Sequence, residues 1–82
     1  MMSLPFDAEL DARGLPCPLP LLRTKKALAE LAAGQVLRVQ ATDAAAPRDF
    51  AAYAEATGHT LLQVEQVEAL FVLWLKKRED AA

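Results

Sequence analysis

Three prolines at alternating positions, in the run Gly14-Leu15-Pro16-Cys17-Pro18-Leu19-Pro20, are the strongest constraint on how this chain can fold. Each proline ring restricts the backbone angle φ and removes an N–H donor, so the run cannot continue a regular strand. Pro18 suits the first helical position and Pro20 the first turn, because N–H groups there have no partner inside a helix. The run therefore predicts a turn that leads into a helix, with Cys17 at the helix start.

The rest of the chain divides into alternating strand and helix patterns on either side of this run. Leucines at helical spacing follow the prolines, and Val36 onward alternates between apolar and polar residues as a strand with one wet face does. In chain order we predict a strand over 9–13, a helix from Pro18 ended by Gly34, a strand over 36–42, a helix opened by Pro47 and ended by Gly58, and strands over 60–65 and 70–76 that form a hairpin.

This order, β-α-β-α-β-β, predicts an α+β fold. The simplest arrangement is a two-layer α/β sandwich: a four-stranded mixed sheet with two helices on one face. The first β-α-β unit should be parallel with a right-handed crossover. The other face of the sheet should then be exposed, with Trp74 as an outward apolar residue. On that open face we place Arg38, Gln40, Gln63, Glu65, Val72 and Trp74.

Length and composition limit the chain to one small domain. It has 82 residues, 54% of them hydrophobic, which is enough for one core. We predict a single domain over 1–82, with 1–7 loosely ordered and 79–82 a frayed tail. A single cysteine forms no internal disulfide, and neither a secretory signal nor a membrane span is recognisable. We therefore expect a soluble protein of the cytoplasm.

The charges argue against a nucleic-acid or membrane partner, because the net charge is −2. Two basic clusters stand out locally. For the first, Arg23, Lys25 and Lys26, a solvated helix face and a partner contact are both open. For the second, 76–78, we favour a tail that protects an edge strand.

Cys17 is the candidate reactive residue. Unpaired N–H groups and the helix dipole favour a thiolate at a helix start, which predicts a lowered thiol pKa. The alternative is a small buried hydrophobe, as many free cysteines are. The flanking prolines and the turn favour an exposed sulfur instead.

The other polar residues that stand out receive structural interpretations. Asp11 is expected to cap the turn at Gly14 or to accept backbone N–H groups near it. Asp43, Arg48 and Asp49 should organise the start of the second helix, with partner contact near Cys17 as the alternative. His59, the one histidine, is predicted to pack or cap rather than to bind a metal or to activate Cys17.

The motif from Leu10 to Pro20 resembles the signature of the TusA/SirA family of small sulfur-carrier proteins, Leu-Asp-x-x-Gly-Leu-x-Cys-Pro-x-Pro. The resemblance continues through Gly34, residues 41–43, the Arg48-Asp49 pair, Gly58-His59 and Lys77. It implies the same two-layer fold, with Cys17 as the sulfur-bearing residue and Pro18 and Pro20 holding the helix start that presents it; we add Gly14 and Pro16 to this presenting group. Leu19 and Pro16 depart from some tRNA-thiolation members.

The resemblance further implies a persulfide relay. A cysteine desulfurase or a rhodanese-type protein would supply sulfur, and an acceptor protein would receive it for tRNA thiolation, cofactor sulfuration or sulfur oxidation. The chain would be a sulfurtransferase-type carrier rather than a self-sufficient enzyme. We expect a monomer that uses no cofactor and no metal. The alternatives are a regulatory or interaction domain, or a redox sensor with one reactive cysteine.

Overall fold

Two helices and four strands follow one another in the predicted order in the computed structural model, which describes residues 4–79. The elements are β1 (Ala8–Ala12), α1 (Leu19–Ala29), β2 (Val36–Ala41), α2 (Ala46–Thr57), β3 (Thr60–Val67) and β4 (Leu70–Lys76). The first helix ends sooner than predicted, with Glu30 as its C-cap, so Gly34 belongs to the loop that follows. Pro18 is the N-cap rather than the first helical residue. Gly58 ends α2 in the left-handed conformation, with φ of 83°.

The four strands form one mixed sheet in the order β1-β2-β4-β3. β1 pairs in parallel with β2, where Leu10 lies opposite Val39, while β4 runs antiparallel to both of its neighbours. The predicted mixed sheet is therefore confirmed. The β3–β4 register shifts between Leu61 and Gln63, which makes Leu62 an extra residue in the edge strand.

The core lies between the helices and one face of the sheet. Leu28 of α1 and Phe50 of α2 are each 1% exposed and pack in one cluster with apolar side chains of β2 and β4. The other members from these two strands are Leu37, Val39, Ala41, Leu73 and Leu75. Burial of this one face follows from the alternation seen in the sequence.

The opposite face of the sheet is covered where we predicted it to be open. Trp74 is 1% and Val72 5% exposed, so their predicted exposure is wrong. The indole Nε1 of Trp74 donates to the carbonyl oxygen of Leu4 at 3.2 Å, which brings the segment before β1 onto this face. The Arg38 guanidinium lies 5.4 Å from the centre of the Phe6 ring and 5.5 Å from that of Trp74. The Trp74 ring is thus covered by the segment before β1 and by Arg38.

The segment before β1 is also tied to the sheet at Asp7. Its N–H donates to the carbonyl of Val36, and its carboxylate accepts the Val36 N–H, each at 2.8 Å. Residues 1–3 and 80–82 lie outside the described residues, and the predicted looseness of 1–7 and 79–82 stays a prediction. Across 4–79, no helix has the length and the apolar character needed to cross a membrane.

Candidate functional site

Cys17 lies in the loop between β1 and α1, and its side chain is exposed. It comes directly before Pro18, the N-cap of α1, and the Leu19 N–H donates to the Pro16 carbonyl at 2.9 Å to close a turn around it. The predicted exposure of the thiol is confirmed, and the interpretation as a buried hydrophobe is wrong. The prolines place the sulfur at the surface because they fix the course of the loop.

The loop is anchored to the end of the neighbouring parallel strand. Gly14 has a φ of 79°, a conformation that favours glycine, and its N–H donates to Oγ1 of Thr42 at 2.8 Å. Asp11 instead accepts the Arg13 backbone N–H at 3.1 Å and its guanidinium at 2.9 Å, which lowers the pKa of Asp11 to about 2. Of its two predicted roles, acceptance of a nearby backbone N–H is the confirmed one.

The side chain that contacts the sulfur comes from the second helix, α2. Sγ of Cys17 donates to Oδ2 of Asp49, in the first turn of α2, at 3.0 Å. The other oxygen of this carboxylate, Oδ1, lies 3.7 Å from Nε of Arg48. Asp43, which precedes α2, lies close to both, since the sulfur and one oxygen from each carboxylate fall within 4.8 Å of one another. Asp43, Arg48 and Asp49 therefore lie near Cys17, and their contact with a partner there stays a prediction.

Asp43 also keeps the structural role that we predicted for it. Its carboxylate accepts the Ala45 N–H at 3.2 Å, just before α2 begins.

The small cleft that holds the sulfur is closed by apolar and ring atoms of both helices. Besides Cys17, Asp43 and Asp49, its lining residues are Pro18, Pro20, Leu21, Ala46 and Phe50.

The surroundings raise the pKa of the Cys17 thiol, so the predicted lowering is wrong. The hydrogen bond to Asp49 has the largest effect, followed by partial desolvation and by the negative charges of Asp49 and Asp43; Arg48 opposes them. The start of α1 also offers few free N–H groups that could stabilise a thiolate. Pro18 and Pro20 have no N–H, and that of Leu19 is bonded to Pro16.

A raised thiol pKa makes a direct prediction for alkylation. At neutral pH, iodoacetamide should modify Cys17 more slowly in the folded protein than in the same protein unfolded in urea, because less of the folded thiol is ionised. The folded rate should climb as pH rises through the raised pKa. Mass spectrometry of timed samples measures both rates on one residue, since the chain has a single cysteine. A folded rate equal to or above the unfolded one would contradict the raised pKa of Cys17.

The first basic cluster is not gathered around the sulfur. Arg23, Lys25 and Lys26 are exposed on α1, and Lys25 lines a separate groove near the ends of the two helices.

Two residues of the second basic cluster donate to carbonyl groups at the end of α2 and just beyond the end of α1. Nζ of Lys77 donates to the Leu31 carbonyl at 2.6 Å, and the Arg78 guanidinium to the Thr57 carbonyl at 3.1 Å. The predicted protection of an edge strand is wrong, because β4 lies between β2 and β3.

His59 has the packing role that was predicted. Its Nδ1 accepts the Arg78 N–H at 3.0 Å, and its ring centre lies 5.7 Å from that of Tyr53. His59 and both of these partners line the groove at the helix ends, whereas Cys17 lines a separate cleft.

Among residues 4–79, Cys17, Asp43 and Asp49 form the one group close enough to share an ion. Structural zinc sites use four ligands, mostly Cys and His, and calcium takes six or more oxygens. One thiol with two carboxylates fits neither pattern, so we assign no ion here. That the chain uses no metal and no cofactor stays a prediction.

Comparison with known proteins gives consistent matches over most of the chain. Residues 8–77 match the family described as Sulfurtransferase TusA. The sulfur carrier protein TusA of Allochromatium vinosum is 49% identical over 72 residues, which are 88% of this chain and 95% of the relative. The sulfur carrier protein TusA of Pseudomonas entomophila is 41% identical over 80 residues, 98% of this chain and 100% of the relative.

A solved structure has the same fold. The crystal structure of a SirA-like protein from Desulfitobacterium hafniense matches with a TM-score of 0.77 and 31% sequence identity. The match covers 89% of this chain and 100% of that one.

Proposed function

This chain belongs to the TusA family, and we propose that it carries sulfur, held as a persulfide on Cys17, from a donor protein to an acceptor protein. The observation that carries the proposal is the placement of the chain's single sulfhydryl, exposed on a proline-framed loop. The two named relatives are called sulfur carrier proteins, and this chain matches them over nearly their whole length. None of their names describes a regulator or a redox sensor, so neither alternative is proposed.

The transfer that this site supports is an exchange between sulfur atoms. Sγ of Cys17 attacks the outer sulfur of a donor persulfide, a new S–S bond forms, and the donor's old S–S bond breaks. The donor leaves as a thiol, and Cys17 becomes a persulfide with no net oxidation or reduction. A second cysteine in the chain would discharge this persulfide as an internal disulfide, and the chain has none.

The partners are proposed from the same chemistry. A cysteine desulfurase or a rhodanese-type protein presents the donor persulfide, and the acceptor presents a cysteine of its own. We place the chain in the cytoplasm as a monomer, without nucleic-acid or membrane partners. Arg23, Lys25 and Lys26 are exposed and available to a docked protein. Because the chemistry needs the partner's sulfur as well, we describe the chain as a carrier rather than a self-sufficient enzyme.

Sulfur loading tests this proposal directly. The protein is incubated with a cysteine desulfurase and cysteine, and its intact mass is measured. We expect the mass of one sulfur atom to be added, and to be lost again on treatment with a thiol reductant. Protein whose Cys17 has first been blocked with iodoacetamide is the matched control and should gain nothing. Equal sulfur addition to the blocked protein, or none to the unblocked protein, would contradict the proposal.

A further inference from the structure

The carboxylate of Asp49 is placed to exchange a proton with the reacting sulfur. Oδ2 accepts the thiol hydrogen of Cys17 at 3.0 Å, although the two residues are 32 positions apart in the chain. The Asp49 side chain is only 25% exposed, and its other oxygen faces Arg48. Oδ2 is therefore the oxygen turned toward the thiol, within the distance needed for direct proton transfer.

Building on the carrier function proposed above, we propose that Asp49 is a catalytic residue of sulfur transfer, which takes the thiol proton of Cys17 as Sγ attacks and passes it to the sulfur that leaves. The negative charge of Asp49 alone would slow the reaction, because it disfavours the attacking thiolate of Cys17. The hydrogen bond favours sulfur transfer only if the carboxylate also accepts and returns the proton.

In the loading step, the proton and the electron pair move as follows, with no net oxidation or reduction. The proton passes from Sγ of Cys17 to Oδ2 of Asp49 while Sγ bonds to the outer sulfur of the donor persulfide. The donor's S–S bond breaks, and its electron pair stays on the departing inner sulfur. Asp49 then gives that sulfur the proton. The products are a persulfide on Cys17, a donor thiol and an ionised Asp49, as at the start.

Delivery runs the same sequence with the roles exchanged. The acceptor's thiol loses its proton to Asp49 and attacks the outer sulfur on Cys17. The S–S bond of the carrier breaks, and its electron pair stays on Sγ. Asp49 returns the proton to Sγ, which restores the hydrogen bond seen in the structure.

Three charged groups act on Cys17 from the elements packed around it: Asp49 and Arg48 on α2, and Asp43 in the loop before it. Replacing Asp49 by asparagine removes one negative charge and the proton acceptor together, while the amide oxygen can still accept a hydrogen bond. Reactions that need only a thiolate should then become faster. Reactions that also need the proton relay should become slower.

The test uses Asp49→Asn in two reactions at neutral pH. Alkylation by iodoacetamide, whose leaving iodide needs no proton, should be faster than in the original protein. Sulfur uptake from glutathione persulfide, followed as the addition of one sulfur mass, should be about a hundredfold slower. Glu55→Gln is the matched control, since it removes one exposed carboxylate from the same helix. It should change neither rate.

Faster alkylation together with slower sulfur uptake is the result that supports proton transfer by Asp49. If both reactions speed up, Asp49 acts through its charge alone. If both slow down, it assists the attack of Sγ but does not pass the proton to the leaving sulfur, and if neither changes, it does not act on the thiol. Each of these outcomes overturns the proposal. Circular dichroism checks that the variant is folded. Failure of the original protein to take up sulfur would instead overturn the carrier function, and the Asp49 proposal with it.

Discussion

Replacing Cys17 with serine is expected to abolish sulfur loading and relay. The serine hydroxyl can still donate to Asp49 across the 3.0 Å that separates the present pair, so the local structure should be kept. An alcohol oxygen is a far weaker nucleophile than a thiol and forms no persulfide. The chain has no other cysteine to take over, so the loss should be complete. Intact-mass measurement after exposure to the desulfurase and cysteine measures it.

Two further measurements make this variant decisive. The free energy of unfolding, measured by thermal denaturation, should match that of the original protein within about 1 kcal/mol, because the side chain is exposed. A labelled-sulfur assay with a partner cysteine protein should show no transfer through the variant. If transfer continued at the original rate, Cys17 would be incidental, and an interaction domain would describe the chain better.

Replacing Trp74 with alanine should cause the largest loss of stability. Deleting a buried tryptophan costs about 3–5 kcal/mol, and Trp74 is 1% exposed. A chain of 82 residues is expected to have about 4–12 kcal/mol in total. The variant should therefore be close to unfolding at room temperature. Urea titration followed by circular dichroism gives the free energy of unfolding.

Trp74→Phe separates packing from the indole hydrogen bond. It keeps most of the ring but loses the bond to the Leu4 carbonyl, so it should cost about 1–2 kcal/mol. Fluorescence of the original protein provides a second measurement, because its single tryptophan should emit as a buried indole. An emission typical of water, with a loss under about 1 kcal/mol in Trp74→Ala, would mean that residues 4–7 do not cover this face.

The elements were predictable because local signals agreed with the tertiary structure. Alternating residues after Val36 and the glycine that ends α2 located strand and helix within a residue or two. The resemblance to the TusA/SirA family, based on the motif around Cys17, is confirmed, and so is the two-layer fold. The predicted end of α1 at Gly34 was wrong, because the helix ends at Ala29 and the alanines on both sides of that end carry no stop signal.

Two features could not be predicted because they depend on contacts between distant residues. No local pattern indicates that the segment at Leu4 returns over Trp74, 70 positions away. The acidic environment of Cys17 arises from a helix that begins 29 residues later. An acidic residue in the first turn of α2 was the one available signal, and it supported a helix-start role equally well. The pKa prediction failed for this reason.

Leu62, the extra residue in β3, affects how the chain meets other molecules. β3 forms one edge of the sheet, and edge strands offer unpaired N–H and C=O groups to any extended segment nearby. The bulge bends this edge and breaks its regular spacing, so a straight foreign strand cannot pair along its whole length. Leu62 and Val64 can therefore remain exposed with a reduced tendency to aggregate.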